Sequence, residues 1–540
     1  MMISGGSVAV SSGNTTFSAN TAVIGGGAVY VVDYSNVVWS GETMFSRNVA
    51  ELGGALRVSE HSIVTLIGET MLSRNLAEQG GAVHAQYGSD LSFDGMATFH
   101  GNLAMDLDGS DKSEQFGGAL AVIGATVTLS GNTTFSSNTA ETQGGAVYVS
   151  DGSIVTWDGE TTFSSNLAGR GGAVFAQNHA ELSFGGMATF HGNLAVGENR
   201  SDIQPSGGAL AVLCSTLTVG GETLFVDNQA LDVGGAVVMA SAVAVWTGRA
   251  SFLNNLGGKA GGALSLFASN AVFGGSTIFH GNIAFMGGAV NAGGSSSVSW
   301  NGGLEFVNNS ADSGGALTVI DSNVSWSGKT TLAHNRASGN NGAAGGALWL
   351  INGSRVSWNG ESMFNNNSAL GFGGAAYVSW DSNMTWSGDT TFLSCNSAEI
   401  VGGAVFVSSF DVGPVFSAVK FVANFARAGG GAYVTASGNE NLNDFRITPI
   451  HATRFEGCQF VNNRATATGG AIESLAGQDH ISNTIFIGNT AGFGGALRLG
   501  GKTFLDNCSF VDNRSGEGAG PAVDNIGFVG RIRDSSFVGN

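Results

Sequence analysis

The feature that most constrains this chain is a short sequence that recurs along it at a nearly fixed interval. Gly-Gly-Ala occurs seventeen times, from residues 26–28 to residues 494–496, most often 27 residues apart. Between successive copies lies a second motif, Phe-x-x-Asn, from residues 17–20 to residues 537–540. It has nineteen copies, three of which carry Leu in place of Phe. A period of 20–50 residues indicates one structural unit stacked on itself.

Each repeat contains three short stretches with the alternation of β-strands. After Gly-Gly-Ala the first and third residues are apolar and the second varies, as in Val147-Tyr148-Val149. A second stretch alternates apolar residues with Ser or Thr, as in Val155-Thr156-Trp157, and a third ends on the Phe of Phe-x-x-Asn. Period-two alternation indicates strands with one face inward. We predict an all-β fold: a single right-handed parallel β-helix solenoid of about nineteen coils of about 27 residues, with three short strands per coil.

Stacking of coils gives each motif a physical reason. The Phe residues are expected to form an internal aromatic row, with neighbouring rings about 4.8 Å apart. The Asn side chains are expected in a buried turn, bonded to one another or to turn backbone that would otherwise lack a partner. The paired glycines are expected at a tight corner that needs a positive φ or close backbone approach.

We expect residues 1–540 to form one continuous β-helix, regular over 1–407 and more divergent over 408–540. Because the sequence begins and ends inside the repeat, we expect it to be a segment without caps, secretory signal or anchor. Insertions that interrupt the period are expected to project as loops, where recognition is commonly located. These insertions are residues 105–116, 196–206, 338–344 and 437–451.

Charge and composition limit the possible partners. The 540 residues include 87 Gly and 4 Pro, and 21 Lys and Arg against 40 Asp and Glu give a net charge of −19. So negative a chain is not expected to bind nucleic acid or an anionic membrane surface by electrostatics. No apolar run is long enough for a transmembrane helix.

The alternating Gly-Gly-Ala-[Val/Leu/Ile] and Phe-x-x-Asn motifs resemble the repeats of the chlamydial polymorphic outer-membrane proteins. The resemblance covers nearly the whole chain and includes the variant at residues 455–463, FEGCQFVNN. It implies the passenger of an autotransporter, a surface adhesin located outside the cell or at the outer membrane. Association with a membrane would then require an anchor or barrel that lies outside this sequence.

Three functions remain open: an adhesive or structural surface protein, a carbohydrate-binding or polysaccharide-lyase-like β-helix, and an inert repeat fragment. A lyase-like site needs clustered carboxylates, often with Lys or Arg, on adjacent outward positions. The outward residues after Gly-Gly-Ala, from Tyr30 to Phe406, include no two stacked acids. We therefore expect a non-enzymatic protein without a cofactor.

Several residues that could suggest a site are expected to be structural. His100, His191 and His280 share a position but lie three coils apart, too far to share a metal ion. Cys458 and Cys508 lie two coils apart, beyond disulfide reach. The acidic loop at 106–111 lacks the spacing of a calcium loop. Tryptophans on the inward side of the second strand are expected to pack in the core. They are Trp300, Trp326, Trp358 and Trp386.

One outward column is a candidate binding site. Trp349, Tyr377 and Phe406 follow Gly-Gly-Ala on three consecutive coils, so we expect a flat exposed aromatic stripe about 10 Å long. Such a stripe suits a sugar ring or apolar side chains of a host or neighbouring cell-surface protein. The alternatives are a self-stacking ladder that only stabilises the fold, or a face covered by the 338–344 loop.

Overall fold

The computed structural model describes residues 1–107, 109, 115–197, 204–340, 342–386, 391–409, 413–436, 453–475, 478–516, 519–526 and 529–540. These residues form two compact units, Met1–Gly275 (unit one) and Ser276–Asn540 (unit two). Within the described ranges every regular element is a β-strand and none is a helix. The predicted acidic loop at 106–111 falls partly, and the insertion at 437–451 wholly, outside the described residues.

Both units are parallel β-solenoids with three main sheets. Each coil gives a strand to the first sheet just after Gly-Gly-Ala, then one to the second sheet, then one ending near Phe-x-x-Asn to the third. Pairing is parallel and in register from coil to coil, as between Val147 and Val174 or between Phe135 and Phe163. The first sheet has ten strands in unit one and nine in unit two, so the predicted parallel solenoid of about nineteen coils is confirmed.

The strands of unit one are as follows. The first sheet contains Met2–Ile3, Val29–Val31, Leu56–Val58, Val83–Gln86, Leu120–Ile123, Val147–Ser150, Val174–Ala176, Leu210–Leu213, Val237–Ala240 and Leu264–Phe267. The second contains Val8–Ser11, Asn36–Trp39, Ile63–Leu66, Asp90–Phe93, Thr126–Leu129, Ile154–Trp157, Glu181–Phe184, Thr216–Val219, Val243–Trp246 and Asn270–Phe273. The third contains Thr15–Ser18, Thr43–Ser46, Thr70–Ser73, Ala97–His100, Thr133–Ser136, Thr161–Ser164, Ala188–His191, Thr223–Val226 and Ala250–Leu253. A short fourth sheet contains Leu76–Ala77, Leu103–Ala104, Thr139–Ala140, Leu167–Ala168, Leu194–Ala195, Gln229–Ala230 and Leu256–Gly257.

Unit two repeats this arrangement. Its first sheet contains Val290–Gly293, Leu317–Ile320, Leu348–Ile351, Ala376–Ser379, Val405–Ser409, Ala432–Ala436, Ile472–Ser474, Leu497–Leu499 and Val523–Asn525. Its second contains Ser297–Trp300, Asn323–Trp326, Arg355–Trp358, Asn383–Trp386, Val415–Ser417, Arg454–Glu456, Gln478–Ser482, Lys502–Asp506 and Val529–Arg533. Its third contains Thr277–His280, Leu304–Val307, Thr330–Ala333, Ser362–Asn365, Thr391–Ser394, Val419–Val422, Gln459–Val461, Ile485–Ile487, Ser509–Val511 and Ser536–Val538. Its short sheet contains Ser310–Ala311, Arg336–Ala337, Ser368–Ala369, Ser397–Ala398, Phe425–Ala428 and Arg464–Thr468.

The Phe residues of the repeat form the predicted internal row. Phe135, Phe163 and Phe190 are each 0% exposed, and successive ring centroids lie 4.8 Å apart with nearly parallel planes. Large side chains of the second sheet pack edge-on against this row, as Trp157 does against Phe163 at 5.9 Å. In coils that carry both aromatic residues, the core is therefore a stacked ring column with a second large side chain packed edge-on against it.

The Asn residues of the repeat form a continuous hydrogen-bonded ladder within each unit. Asn138 donates its backbone N–H and its Nδ2 to Oδ1 of Asn166, at 3.0 and 3.1 Å. Asn166 in turn donates Nδ2 to Oδ1 of Asn193 at 2.9 Å and to the carbonyl oxygen of Phe135 at 3.0 Å. Each fully buried amide thus uses both donor hydrogens and both acceptor positions. The predicted role of the Asn motif is confirmed.

The two glycines of Gly-Gly-Ala serve different purposes. Gly144 has a φ of 63°, in the left-handed region that favours glycine. Gly145 does not, but a Cβ atom at this position would lie 2.1 Å from the carbonyl oxygen of Gly172 on the next coil. The first glycine therefore permits the corner, and the second permits close contact between coils, so both predicted reasons apply.

Candidate functional site

The predicted aromatic residues lie in one column on the outer side of the first sheet of unit two. Trp349 pairs in register with Tyr377, and Tyr377 with Phe406, on consecutive coils. The rings of Tyr377 and Phe406 stack with centroids 4.8 Å apart and an interplanar angle of 12°. Tyr433 on the following coil extends the stack, 5.7 Å from Phe406. The structure brings the three predicted residues together and adds a fourth.

This aromatic column is less exposed than predicted. Trp349 and Tyr377 are half-buried, and Phe406 is only 7% exposed. Phe372, in a turn that precedes a Gly-Gly-Ala, lies against the column with its ring 5.3 Å from Phe406 and 6.4 Å from Tyr377. The prediction of a flat exposed stripe is therefore wrong for Phe406, because a side chain from the turn packs against its ring. The binding role of the column stays a prediction.

Beyond Tyr433 the same column becomes charged. Glu473, Arg498 and Asp524 follow it in register on consecutive coils. Arg498 Nη1 lies 3.6 Å from Glu473 Oε1, and Arg498 Nε lies 3.8 Å from Asp524 Oδ2. Burial raises the pKa of Glu473, opposed by a hydrogen bond from the Thr468 hydroxyl and by the charge of Arg498. We call Glu473, Arg498 and Asp524 the charge column.

Sequence reasoning missed the charge column, although its signal was present for two members. Glu473 and Arg498 are the second residues after Gly-Gly-Ala, the position that defines the outward column. Asp524 follows Gly-Pro-Ala instead, so the motif alone does not place it. Two carboxylates beside an arginine resemble the acid clustering that a lyase-like site needs. Here, however, the guanidinium lies close to both carboxylates and offsets part of their charge, as in a structural ion-pair network.

A second buried carboxylate belongs to Asp479 in the second sheet of unit two. The side chain is 1% exposed; its Oδ1 accepts the backbone N–H of Thr453 at 3.1 Å, and its Oδ2 accepts the hydroxyl of Ser474. Burial raises the pKa of Asp479 to about 6, and the two hydrogen bonds only partly oppose this. At neutral pH the fold therefore holds a costly buried charge.

Replacing Asp479 with Asn should stabilise unit two at pH 8 and give little benefit at pH 4. The carboxyl contributes stability below its ordinary pKa of 3.8, and this contribution is lost as pH rises through about 6. An amide cannot ionise, and its oxygen can still accept the Thr453 N–H while its nitrogen donates to the Ser474 hydroxyl oxygen, so we expect a gain of about 2–3 kcal/mol at pH 8. Urea unfolding of the full chain at both pH values measures it, with exposed Asp321→Asn as control. An equal gain at both pH values would contradict this explanation.

In unit one, the outer side of the first sheet is covered from His84 to Ser265, whereas Tyr30 and Arg57 on earlier coils are half-buried. Tyr148 and Phe175 are 4% and 0% exposed, and Phe116 packs on Tyr148 with ring centroids 4.0 Å apart. His84 on the same face is fully buried, and burial, reinforced by the charge of Arg57, lowers its pKa to about 3. The expectation that this column faces solvent is therefore wrong here, because side chains from the turns form a second small core over it.

The second sheet of unit two carries a polar groove on its outer side. The groove encloses about 290 Å³ and crosses four coils. The polar groups in its lining are hydroxyls and amides, with a single guanidinium from Arg355, and the rest of the lining includes Val324 and Val356. The polar residues lining it are Ser297, Asn323, Ser325, Arg355, Ser357, Asn383 and Thr385. Such neutral donors and acceptors suit a sugar more than a charged ligand.

The other residues expected to be structural are placed as follows in the described ranges. Trp326 and Trp358 are 0% and 1% exposed and stack at 4.6 Å, which confirms core packing. His191 lies 3.7 Å from Asp227. All four cysteines are free thiols. In the described ranges, no three His, Cys, Asp or Glu residues are grouped so that they could hold a metal ion.

Among the residues that the structure places, none forms a helix with the length and apolar character needed to cross a lipid bilayer.

Comparison with known proteins identifies the repeat. Residues 132–150 match the Chlamydia polymorphic membrane protein repeat. This stretch holds a third-sheet strand, the ladder residue Asn138, the corner glycines Gly144 and Gly145, and the first-sheet strand Val147–Ser150. No curated protein and no solved structure matches the chain. The matched repeat and the β-solenoid that contains it fit a polymorphic membrane protein repeat protein.

Proposed function

We propose that this chain is a non-enzymatic adhesin of the cell surface, in which the solenoid is a rigid scaffold for a contact site on unit two. The main support for the proposal is the aromatic column on the outer side of the first sheet of unit two. Trp349 and Tyr377 pair in register and keep part of their side chains accessible, and the Tyr377 ring is held by stacking on Phe406. Preorganised aromatic side chains bind sugar rings or apolar side chains at low entropic cost.

The surface location is supported by the matched repeat, because a polymorphic membrane protein repeat fits an outer-membrane or surface protein. The non-enzymatic role is supported by the charge column, in which Arg498 lies close to both Glu473 and Asp524. A general acid or base needs a carboxylate able to exchange a proton with substrate.

The partner we propose is a protein or glycan on a host or neighbouring cell.

A second candidate function is carbohydrate binding in the polar groove of unit two. The groove offers hydroxyls of Ser325 and Ser357, amides of Asn323 and Asn383, and the guanidinium of Arg355 across successive coils. A linear glycan lying along the stacking direction would meet equivalent donors and acceptors about every 4.8 Å. This function involves the second sheet and not the aromatic column, so the two can be separated by mutation.

The proposed adhesin is tested with beads coated with the full chain and added to cultured cells. Trp349→Ser with Tyr377→Ser should reduce bead attachment at least about fivefold while the melting transition is retained. The matched control is Met363→Ser with Phe392→Ser, two half-buried outward side chains on the third sheet of the same unit. Equal attachment of the two variants would overturn the aromatic contact site. If bead attachment fell only in the variant with Ser325→Ala and Ser357→Ala, the result would favour the polar groove as the contact site.

Location is tested separately on intact source cells. Antibodies raised against the full chain should label the cells without permeabilisation, and external protease should remove that label. Labelling only after permeabilisation would overturn the surface location. It would not decide the result of the bead-attachment experiment, which is independent of it.

A further inference from the structure

A groove on the outer side of the third sheet of unit one combines two arginines with hydroxyl groups. It encloses about 490 Å³ at the turn that precedes the Asn ladder. Arg47 and Arg74 occupy the same position on consecutive coils, each just before a ladder Asn. The remaining residues of the lining are Ser46, Met71, Ser73, Thr98 and His100. None of the described residues that line this groove is a carboxylate, although acids outnumber bases in the chain by 40 to 21.

The backbone holds the two arginines in fixed relation. Both have left-handed φ values, 55° for Arg47 and 54° for Arg74. The N–H of Arg47 donates to the carbonyl of Ser73 at 3.1 Å, and the N–H of Arg74 donates to that of His100 at 3.0 Å. Equivalent positions on successive coils are about 4.8 Å apart. The stem of Arg74 passes beside Gly101.

Among the residues that the structure describes, no carboxylate is paired with either guanidinium group. Neither Arg47 nor Arg74 forms an ion pair with any carboxylate in the part of the chain that the structure describes. Two positive charges at the same turn position of adjacent coils repel one another. An anion placed between the two guanidinium groups would convert this repulsion into two charge-assisted interactions.

The neighbouring polar groups complete the donor set. The hydroxyl of Ser73 has no side-chain hydrogen bond within the described residues, so it can donate to a ligand. Nδ1 of His100 lies 2.9 Å from Oγ of Ser136. If Ser136 donates to Nδ1, the ring proton lies on Nε2, which can then donate to an anion. Arginine forks, a hydroxyl and an imidazole are the groups that proteins use for tetrahedral oxyanions.

We propose that this groove binds a singly attached oxyanion, a sulfate or phosphate ester, between Arg47 and Arg74. The half-exposed Met71 beside the arginines provides an apolar surface for the carbon skeleton that carries the anion. The site is separate from the aromatic column, which belongs to unit two. Unit one therefore binds anionic ligands locally despite the net negative charge of the chain.

The test is calorimetric titration of the full chain at low ionic strength with glucose 6-sulfate, glucose 6-phosphate and glucose. The two esters should bind and glucose should not, and preference between the esters identifies the source of the oxyanion. Arg47→Gln with Arg74→Gln should weaken ester binding at least about tenfold, since each replacement removes a charged donor. Added salt should weaken it as well.

The matched control is Arg249→Gln with Lys259→Gln. It also removes two positive charges, but from exposed positions of unit one outside the groove. We expect this control to bind the esters within about twofold of the unmodified chain, because its substitutions lie outside the groove. Unchanged melting transitions show that both variants fold. Absence of ester binding by the unmodified chain, equal binding of glucose, or equal loss in the control would overturn the proposal.

Discussion

Replacing Asn166 with Ala should destabilise unit one by on the order of 5 kcal/mol, the largest effect expected from a single substitution in this chain. The change removes the acceptor of the Asn138 backbone N–H and of its Nδ2, and the donor to the Phe135 carbonyl and to Asn193 Oδ1. Each buried polar group left without a partner costs about 1–3 kcal/mol. The loss comes from hydrogen bonding, since little apolar area changes.

Hydrogen–deuterium exchange of the full chain is the sharpest readout of this substitution. Amides of the coils around Asn166 should exchange much faster, because each coil is bonded mainly to its two neighbours. The control is Asn270→Ala, at an exposed strand position of the same unit. Similar protection in the two variants would show that the ladder contributes no more than a surface amide.

Replacing Trp326 with Ala should destabilise unit two by about 3–5 kcal/mol, the usual cost of truncating a large buried aromatic residue. Trp326 is 0% exposed and stacks between Trp300 at 5.9 Å and Trp358 at 4.6 Å. Trp326→Phe should lower the free energy of unfolding much less than Trp326→Ala does, because the indole N–H has no hydrogen-bond partner among the described residues.

Urea unfolding of unit two, followed by tryptophan fluorescence, measures this loss. The matched control is Trp380→Ala, which removes the same side chain at a position that is 55% exposed. If Trp380→Ala lowered the free energy of unfolding as much as Trp326→Ala does, the tryptophan stack would not be the source of the stability.

The parts of the fold that depend on the repeat were predictable from the sequence. Period-two alternation predicted where the strands lie. The constant spacing of Phe and Asn predicted both internal ladders, because stacked coils put equivalent residues in contact. The short fourth sheet was not predicted, since two-residue strands such as Leu167–Ala168 are too short to show alternation.

Exposure of the candidate site was harder to predict than its position. The spacing correctly put Trp349, Tyr377 and Phe406 in one column, but it could not show that Phe372 packs against Phe406. Coverage depends on turn side chains, whose directions do not follow the repeat. In the same way, the groove around Arg47 depends on which turn residues happen to be basic on neighbouring coils, a pattern visible only once the register is known.

Crosslinking of engineered thiols tests the central claim, in-register stacking of successive coils, most directly. Thr134 pairs with Thr162, and Thr162 with Thr189, on the outward side of the third sheet. In a chain with Cys214 and Cys395 replaced by Ser, Thr134→Cys with Thr162→Cys places two thiols on strands about 4.8 Å apart. A short bifunctional thiol reagent should join this pair rapidly within one molecule. Thr134→Cys with Thr189→Cys, two coils apart, should react slowly or not at all. Equal crosslinking of the two pairs, or faster crosslinking of the distant pair, would contradict the stacked register.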